Sequence, residues 1–273
     1  MRHDEAALDD YEGLALALAD YAMAEIAGRR VTVAERSTKK DAADWVTVVD
    51  VGVERRVREK ISEAFPRHAI VGEELGSSGL PSGGGLVWYV DPVDGTTNFV
   101  HGLPWSSFSL ALTDDEGIVV GVVADPHRGE VFSARRGGGA FVNGGAAHCQ
   151  ASAELAGGAV LAELAGVSCW PGFSDMLSAL SAKKCVSRVM GSSALSLASV
   201  GGGRGSAVVL PGWNPIDVAA GVLIAREGGA LVLGGPSVHP VLGAGALQRD
   251  LLVAVAPGVV DELREVLEDL PGA

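Results

Sequence analysis

Residues 6–27 (AALDDYEGLALALADYAMAEIA) set apolar side chains at helical spacing, with Asp and Glu on the opposite face. That period predicts an amphipathic helix. The mixed, polar run 29–45 reads as a loop. A second amphipathic helix is expected from Asp50 to Phe65, stopped by Pro66, because a proline bars the residue before it from helical geometry. AIVGEE (69–74) is a short apolar run entering an acidic loop, which reads as a buried strand. GSSGLPSGGG (76–85) has the composition of a flexible connector. LVWYV (86–90) is a second strand, and it delivers Asp91 at its end.

From 105 to 142 the pattern changes to short β-rich runs: WSSFSLALT, GIVVGVVAD, EVFSARR and AFVN. DDEG, PHRG and GGG turns separate them, so an antiparallel meander is predicted. Strands and helices then alternate. Strands are expected at 159–164, 185–190, 206–210, 230–233 and 251–256, and helices near 173–182, 192–200, 215–227 and 258–269. Alternation of this kind implies layered α/β architecture. With no internal repeat and no obvious linker, residues 1–273 are expected to form one unit. Its halves would be an α+β part over about 1–145 and an α/β part over about 146–273.

Composition sharpens this picture. A chain of 273 residues, 48% apolar, has ample material for a large core. Aromatics are only 5% against 38 glycines, so small and branched aliphatic side chains must pack closely. The formal net charge of −13, without a Lys/Arg cluster of more than a few residues, argues against nucleic-acid polymers. An acidic protein also repels phosphates. An anionic substrate would therefore need a cationic mediator, and divalent metal ions are the obvious candidates. Cys149, Cys169 and Cys185 are odd in number and widely spaced, which suggests reduced thiols rather than disulfides or a zinc knuckle. The N-terminus, MRHDEAALDD, is acidic and unlike a signal peptide. No apolar run reaches the ~18 residues of a membrane span. A cytoplasmic protein without a membrane partner is expected.

The densest chemical signal is Asp91-Pro92-Val93-Asp94-Gly95-Thr96-Thr97-Asn98, straight after a buried strand. Pro92 fixes a backbone torsion, so two carboxylates three residues apart can point into one site. Gly95 permits close backbone approach, and the amides that follow can face an anion. Oxygen ligands suit a hard cation such as Mg2+. DPxDG is equally good β-turn chemistry. Gly72-Glu73-Glu74 could be a solvated loop. Asp217, in NPIDVAAG, could be a helix N-terminal acid, and Asp50 could cap the helix that follows it.

Taken together these segments resemble the inositol monophosphatase family in order and spacing. Its central signature, WxxDPxDGTxNFxxGxP, stands here as WYVDPVDGTTNFVHGLP from Trp88 to Pro104. DxVTxxD appears at Asp44–Asp50, GEE at Gly72–Glu74, and a variant of PWDxAAG at Pro215–Gly221. ARRGGGAFVNG (134–144) and Gly191-Ser192-Ser193-Ala194 are also similar, and the likeness spans roughly residues 10 to 265. The resemblance implies a layered αβαβα sandwich with a metal site between the two halves, a homodimer, and lithium sensitivity. It implies Mg2+-dependent hydrolysis of a phosphate monoester from a small metabolite, using two to three ions. Glu73, Asp91 and the Val93 carbonyl would hold one ion, and Asp91, Asp94 and Asp217 a second. A third would sit near Glu73, with Asp50 in its outer shell. Glu73 and Thr96 would orient and deprotonate the attacking water, while the Gly95 and Thr96 amides hold phosphate oxygens. Lys39 matches a lysine that approaches the site, and Gly191, Ser192 and Ser193 fall among the substrate contacts.

Two departures bear on the substrate. The family's inositol phosphatases carry a Glu seven residues before the motif Asp, where Leu210 stands here. The Trp that usually precedes that Asp is Ile216, with Trp213 nearby. Losing a carboxylate that pairs with polyol hydroxyls argues against myo-inositol phosphate as the best substrate. Sugar phosphates, histidinol phosphate and nucleotides are alternatives, as is a non-catalytic role in binding a macromolecular partner. The six histidines show no ligand spacing, and His101 is expected to shape its loop. Gly201-Gly202-Gly203 lacks the lysine of a phosphate loop and reads as a turn, and Arg135-Arg136 as a hairpin end.

Overall fold

The computed structural model describes residues 4–39, 45–79 and 85–270. Helix α1 (Glu5–Ile26) is capped by Asp4, whose side chain accepts from the Ala7 amide at 2.8 Å. It buries Tyr11, Ala15, Leu18, Ala19, Ala22 and Ile26, the stripe the sequence period requires. The run 29–45, expected as a loop, instead contains β1 (Arg36–Thr38) and ends at the first residue of its antiparallel partner, β2 (Trp45–Thr47). Helix α2 (Val48–Ala64) begins two residues before Asp50, because Thr47 is its N-cap and Asp50 closes the capping box.

A mixed sheet follows: β3 (Ala69–Gly72), β4 (Gly76–Ser78), β5 (Val87–Asp94), β6 (Ser107–Asp114), β7 (Gly117–Asp125), β8 (Glu130–Arg135), β9 (Gly139–Val142) and β10 (Gly145–Ala147). Its order is β10-β9-β8-β7-β6-β5-β3-β4, antiparallel except for the β3–β5 pair. The connector thus opens with a strand, β4, paired to β3. A short helix, α3 (Thr96–His101), links β5 to β6.

The second sheet contains β11 (Ala159–Ala162), β12 (Val186–Val189), β13 (Ala207–Leu210), β14 (Leu231–Gly234), β15 (Gly245–Ala246) and β16 (Leu252–Val255), in the order β12-β11-β13-β16-β14-β15. Helices α4 (Phe173–Ala182), α5 (Ser193–Gly201), α6 (Pro215–Glu227) and α7 (Val260–Glu268) complete the chain.

Strand alternation assigns the layers. Trp88, Val90, Leu110 and Leu112 face α1 and α2, whereas Ala111 and Val123 face α5 and α6. In the second sheet Val208, Leu210, Leu252 and Ala254 meet those same two helices. Ala207, Val209, Val253 and Val255 meet α4 and α7. The result is an αβαβα sandwich. Its middle layer is sheet-covered on both sides, which explains why α6 is apolar nearly all round. Glycines set the spacing there: a Cβ on Gly121 would lie 2.8 Å from the Ala220 carbonyl oxygen. Among the described residues, no helix is long and apolar enough to cross a membrane.

Candidate active site

Strand β5 enters the sheet as an apolar run and leaves it as a carboxylate pair. Asp91 pairs with Ser109 of β6, but Asp94 pairs with Ser107, so one extra residue bulges out between them. Such a bulge re-aims the side chains at a strand end. Asp91 accepts from the Val93 amide at 3.0 Å, which closes the turn through Pro92. Gly95 then adopts φ +86°, and a Cβ there would stand 2.6 Å from the Gly191 carbonyl oxygen. Only glycine meets both demands. Asp94 turns toward the N-terminus of α5, accepting from the Ser192 hydroxyl at 2.6 Å and the Ala194 amide at 2.7 Å. A carboxylate is favourable there, where helix amides are unpaired.

The first turn of α2 faces this loop. Asp50 is fully buried and accepts from the Thr47 amide at 3.0 Å and from the Thr47 hydroxyl. The Thr96 hydroxyl lies 3.3 Å from Asp50 Oδ1 and 2.9 Å from the Val93 carbonyl oxygen. Lys39 Nζ bridges Glu73 Oε1 at 2.7 Å and Glu74 Oε1 at 2.5 Å. Behind them Glu54, fully buried, accepts from the amides of Glu74 (2.7 Å) and Leu75 (3.1 Å) and from Arg58 Nε (2.7 Å). Gly72 is glycine for the same reason: a Cβ would fall 2.0 Å from Glu54 Oε1.

The electrostatics show a surplus of negative charge. Burial pushes Asp91 well above the usual carboxylate range, and the charges of Glu73, Asp94 and Asp217 add to the effect. Burial lifts Asp217 to about 7, aided by Asp94 and Glu73. Asp50 and Asp94 each rise to about 6, again through burial, although hydrogen bonds from Thr47 and Ser192 respectively oppose it. Glu74 rises to about 7 through burial despite its bond to Lys39. Burial works against the Lys39 charge, yet its two carboxylate partners carry its pKa above its ordinary value. One ammonium shared between two glutamates leaves the pocket with a net negative charge.

An oxygen-only donor set with unbalanced charge fits a hard divalent cation. Among the described residues, no three acidic, His or Cys side chains already close on one point. Holding an ion would require these carboxylates to turn toward it, and Lys39 is the cation now resting on Glu73.

Most of the sequence-predicted residues come together here. Glu73, Gly95, Thr96 and Gly191 line one cavity of about 630 Å³. Asp94 bonds directly to Ser192, and Asp217 sits in the first turn of α6, behind the Asn214 cap. Leu210 is a correction: it ends β13 with no exposed surface, packed in the middle-layer core. It therefore offers nothing to a ligand, because β13 turns that position toward the α5–α6 layer. Asp44 of the DxVTxxD element lies outside the described residues. His101 is exposed at the end of α3, and Arg135 and Arg136 pair with Asp9 and Asp114.

Sequence reasoning missed three residues. Glu54 was one; its place between Val53 and Val57 on the buried face of α2 was the available signal. Glu163, 7% exposed just beyond β11, accepts from the Gly191 amide at 2.7 Å and the Ser196 hydroxyl at 3.1 Å. Asn98 donates to the carbonyls of Trp105 and Met190, both at 2.7 Å, tying α3 to the loop before α5.

The inositol monophosphatase family model matches residues 7–258. The chain is 37% identical over 231 residues to a Nus factor SuhB of Pasteurella multocida, covering 84% of each. It is 34% identical to human inositol monophosphatase 2, covering 81% of each. The extragenic suppressor protein SuhB of Bartonella henselae superposes with a TM-score of 0.82 at 26% identity, covering 94% of this chain and 98% of that one.

Proposed function

The chain belongs to the inositol monophosphatase family, and from that premise we propose that it hydrolyses a small-molecule phosphate monoester to an alcohol and inorganic phosphate. Members of the family use Mg2+. In this reading Glu73, Asp91, Asp94, Asp217 and the Val93 carbonyl hold two to three such ions, as their oxygen-only chemistry suits. The ions supply the positive charge that an acidic pocket lacks toward a phosphate. Glu73 and Thr96 orient the attacking water and take its proton. Asp50 steers Thr96, whose hydroxyl lies 3.3 Å away. The Gly95 and Thr96 amides hold phosphate oxygens, Asp94 fixes the Gly191–Ser193 turn against them, and Lys39 balances Glu73 and Glu74. Phosphoryl transfer asks for this positioning and charge neutralisation more than for a protein nucleophile. The site lying between two halves of one unit, and a homodimer, are parts of the same proposal.

The observation that carries the reading is that Asp91, Asp94 and Asp217 are all raised, first by burial and in each case also by the charge of Glu73, a surplus that Lys39, bound to the two glutamates, does not match. Phosphate release with Mg2+ present from inositol, hexose, histidinol and nucleoside phosphates tests it, with Asp94→Asn as the blank. Release from at least one ester, lost in the variant, is expected; equal release by both would sink the assignment. The sequence departure at Leu210 does not itself choose among these esters, because that side chain is packed in the core.

A second reading comes from relatives named Nus factor, which suggests a regulatory role through a macromolecular partner. It would be favoured if Asp94→Asn restored cell function as well as the native chain did.

A further inference from the structure

The cavity beside the carboxylates is far larger than a phosphate needs, at about 630 Å³. Its polar end is Glu73, Gly95 and Thr96. Beyond the polar Thr97, Asn98 and Glu163, its walls carry four apolar side chains: Trp45 from β2, Leu164 and Val167 from the loop after β11, and Val189 at the end of β12. Val167 and Val189 are 69% and 49% exposed, unusually open for aliphatic side chains. Trp45 is held by the Arg36 guanidinium, 4.9 Å above its ring.

Three classes of alcohol would ask different things of these walls. A polyol needs acceptors and donors for each hydroxyl. The carboxylate in the far wall, Glu163, already accepts from Gly191 and Ser196. A second phosphate would need a cation, preferably a forked one. Among the described residues no Lys, Arg or His lines the cavity, and Lys39 at its edge is committed to Glu73 and Glu74. An uncharged alcohol with an apolar or flat face would cover Trp45, Leu164, Val167 and Val189 and displace water from them.

We propose that this cavity selects a phosphate monoester whose alcohol is uncharged, carries an apolar or aromatic face, and bears no second phosphate. The proposal rests on the phosphatase reading above and specifies its substrate class. The selecting residues are Trp45, Leu164, Val167 and Val189 rather than Leu210, which lies in the core.

The test compares kcat/KM, with Mg2+ present, for four alkyl esters: 2-phenylethyl phosphate, glycerol 2-phosphate, inositol 1-phosphate and fructose 1,6-bisphosphate. None has an aryl leaving group, so the differences report binding rather than leaving-group acidity. The native chain should favour 2-phenylethyl phosphate over the other three by about tenfold or more, the discrimination an apolar contact normally gives. Val167→Asp, an exposed loop position, should lower the ratio of kcat/KM for 2-phenylethyl phosphate to that for glycerol 2-phosphate by a similar factor, mainly through KM. Hydrolysis of glycerol 2-phosphate without preference for the aromatic ester would overturn the proposal alone. So would a clear preference for inositol 1-phosphate or the bisphosphate. Hydrolysis of none of the four would overturn the proposal, and the phosphatase reading would fall with it only if the wider panel of inositol, hexose, histidinol and nucleoside phosphates also released no phosphate.

Discussion

Glu163 gives the sharpest test of the electrostatics, because it stands outside the proposed ligand set yet is nearly buried. Burial lifts its pKa from the ordinary 4.5 up to about 7, with Asp94 adding to the rise and bonds from Gly191 and Ser196 opposing it. In the unfolded chain the carboxyl ionises near its ordinary value. Between the two values the folded protein holds the extra proton, so its stability is full below about pH 4.5 and falls as pH climbs through about 7. At about 1.4 kcal/mol per pH unit, the loss between about pH 5 and pH 8 is of the order of 2 to 3 kcal/mol. Glu163→Gln removes this cost and keeps the geometry: the amide oxygen can accept from Gly191 N while the amide nitrogen donates to Ser196 Oγ. Urea unfolding of both proteins in chelator, at several pH values across that window, measures the difference. Other buried carboxylates titrate in both proteins, so the change in the gap isolates position 163. The variant should gain about 2 to 3 kcal/mol on the native chain as pH rises. Parallel stability curves would refute the argument that burial governs this carboxyl. Glu163→Ala, which leaves the Gly191 N–H without its acceptor, should cost about 1 to 3 kcal/mol at the acid end of the window, a deficit that narrows as pH rises because the titrating carboxyl is gone.

Two further outcomes follow from the site and the core. Mg2+ should raise the thermal midpoint of the metal-free protein by relieving repulsion among Asp91, Asp94 and Asp217. At about a hundredfold over Kd the gain is about 2.7 kcal/mol, and differential scanning fluorimetry of Asp91→Asn should show most of it lost. Gly121→Val would drive a side chain into the Ala220 backbone, whose carbonyl oxygen leaves a Cβ at position 121 only 2.8 Å of room; overpacking of this kind costs about 1 to 3 kcal/mol or more, readable as a lower urea midpoint.

The regular elements were legible because their periods are clean. The stripe of α1, the meander from β6 to β9 and the alternating second half all fell where their patterns put them. What escaped was short or stabilised from a distance. The ribbon β1–β2 has only three residues per strand, within a polar run whose composition favours a loop. The pairing of β4 to β3 depends on a partner, and α3 lies inside a motif that reads equally well as a turn. Leu210 was misjudged because one-dimensional alignment to the family gives a position but not the face of β13 it occupies. Glu163 fell inside the strand expected at 159–164 and drew no reading of its own; its bond to the Gly191 amide joins segments 28 residues apart.

For Asp50 and Asp217 the capping position and the proposed site position are geometrically compatible. Asp50 does close the capping box of α2, and from that position it also approaches Thr96. Asp217 is a first-turn acid of α6, and its charge is felt by Asp91. Asp94 belongs to a strand, yet it binds the free amide end of α5. Helix N-termini offer unpaired amides and a partial positive charge, so a chain holds a buried carboxylate there at less cost than elsewhere, although burial still raises Asp50, Asp94 and Asp217. A site that needs several carboxylates close together therefore favours several helix starts close together. Capping chemistry in the sequence is then no argument against a functional acid. Acids that cap helices whose first turns meet at one strand end are a stronger pointer to such a site than any one of them alone.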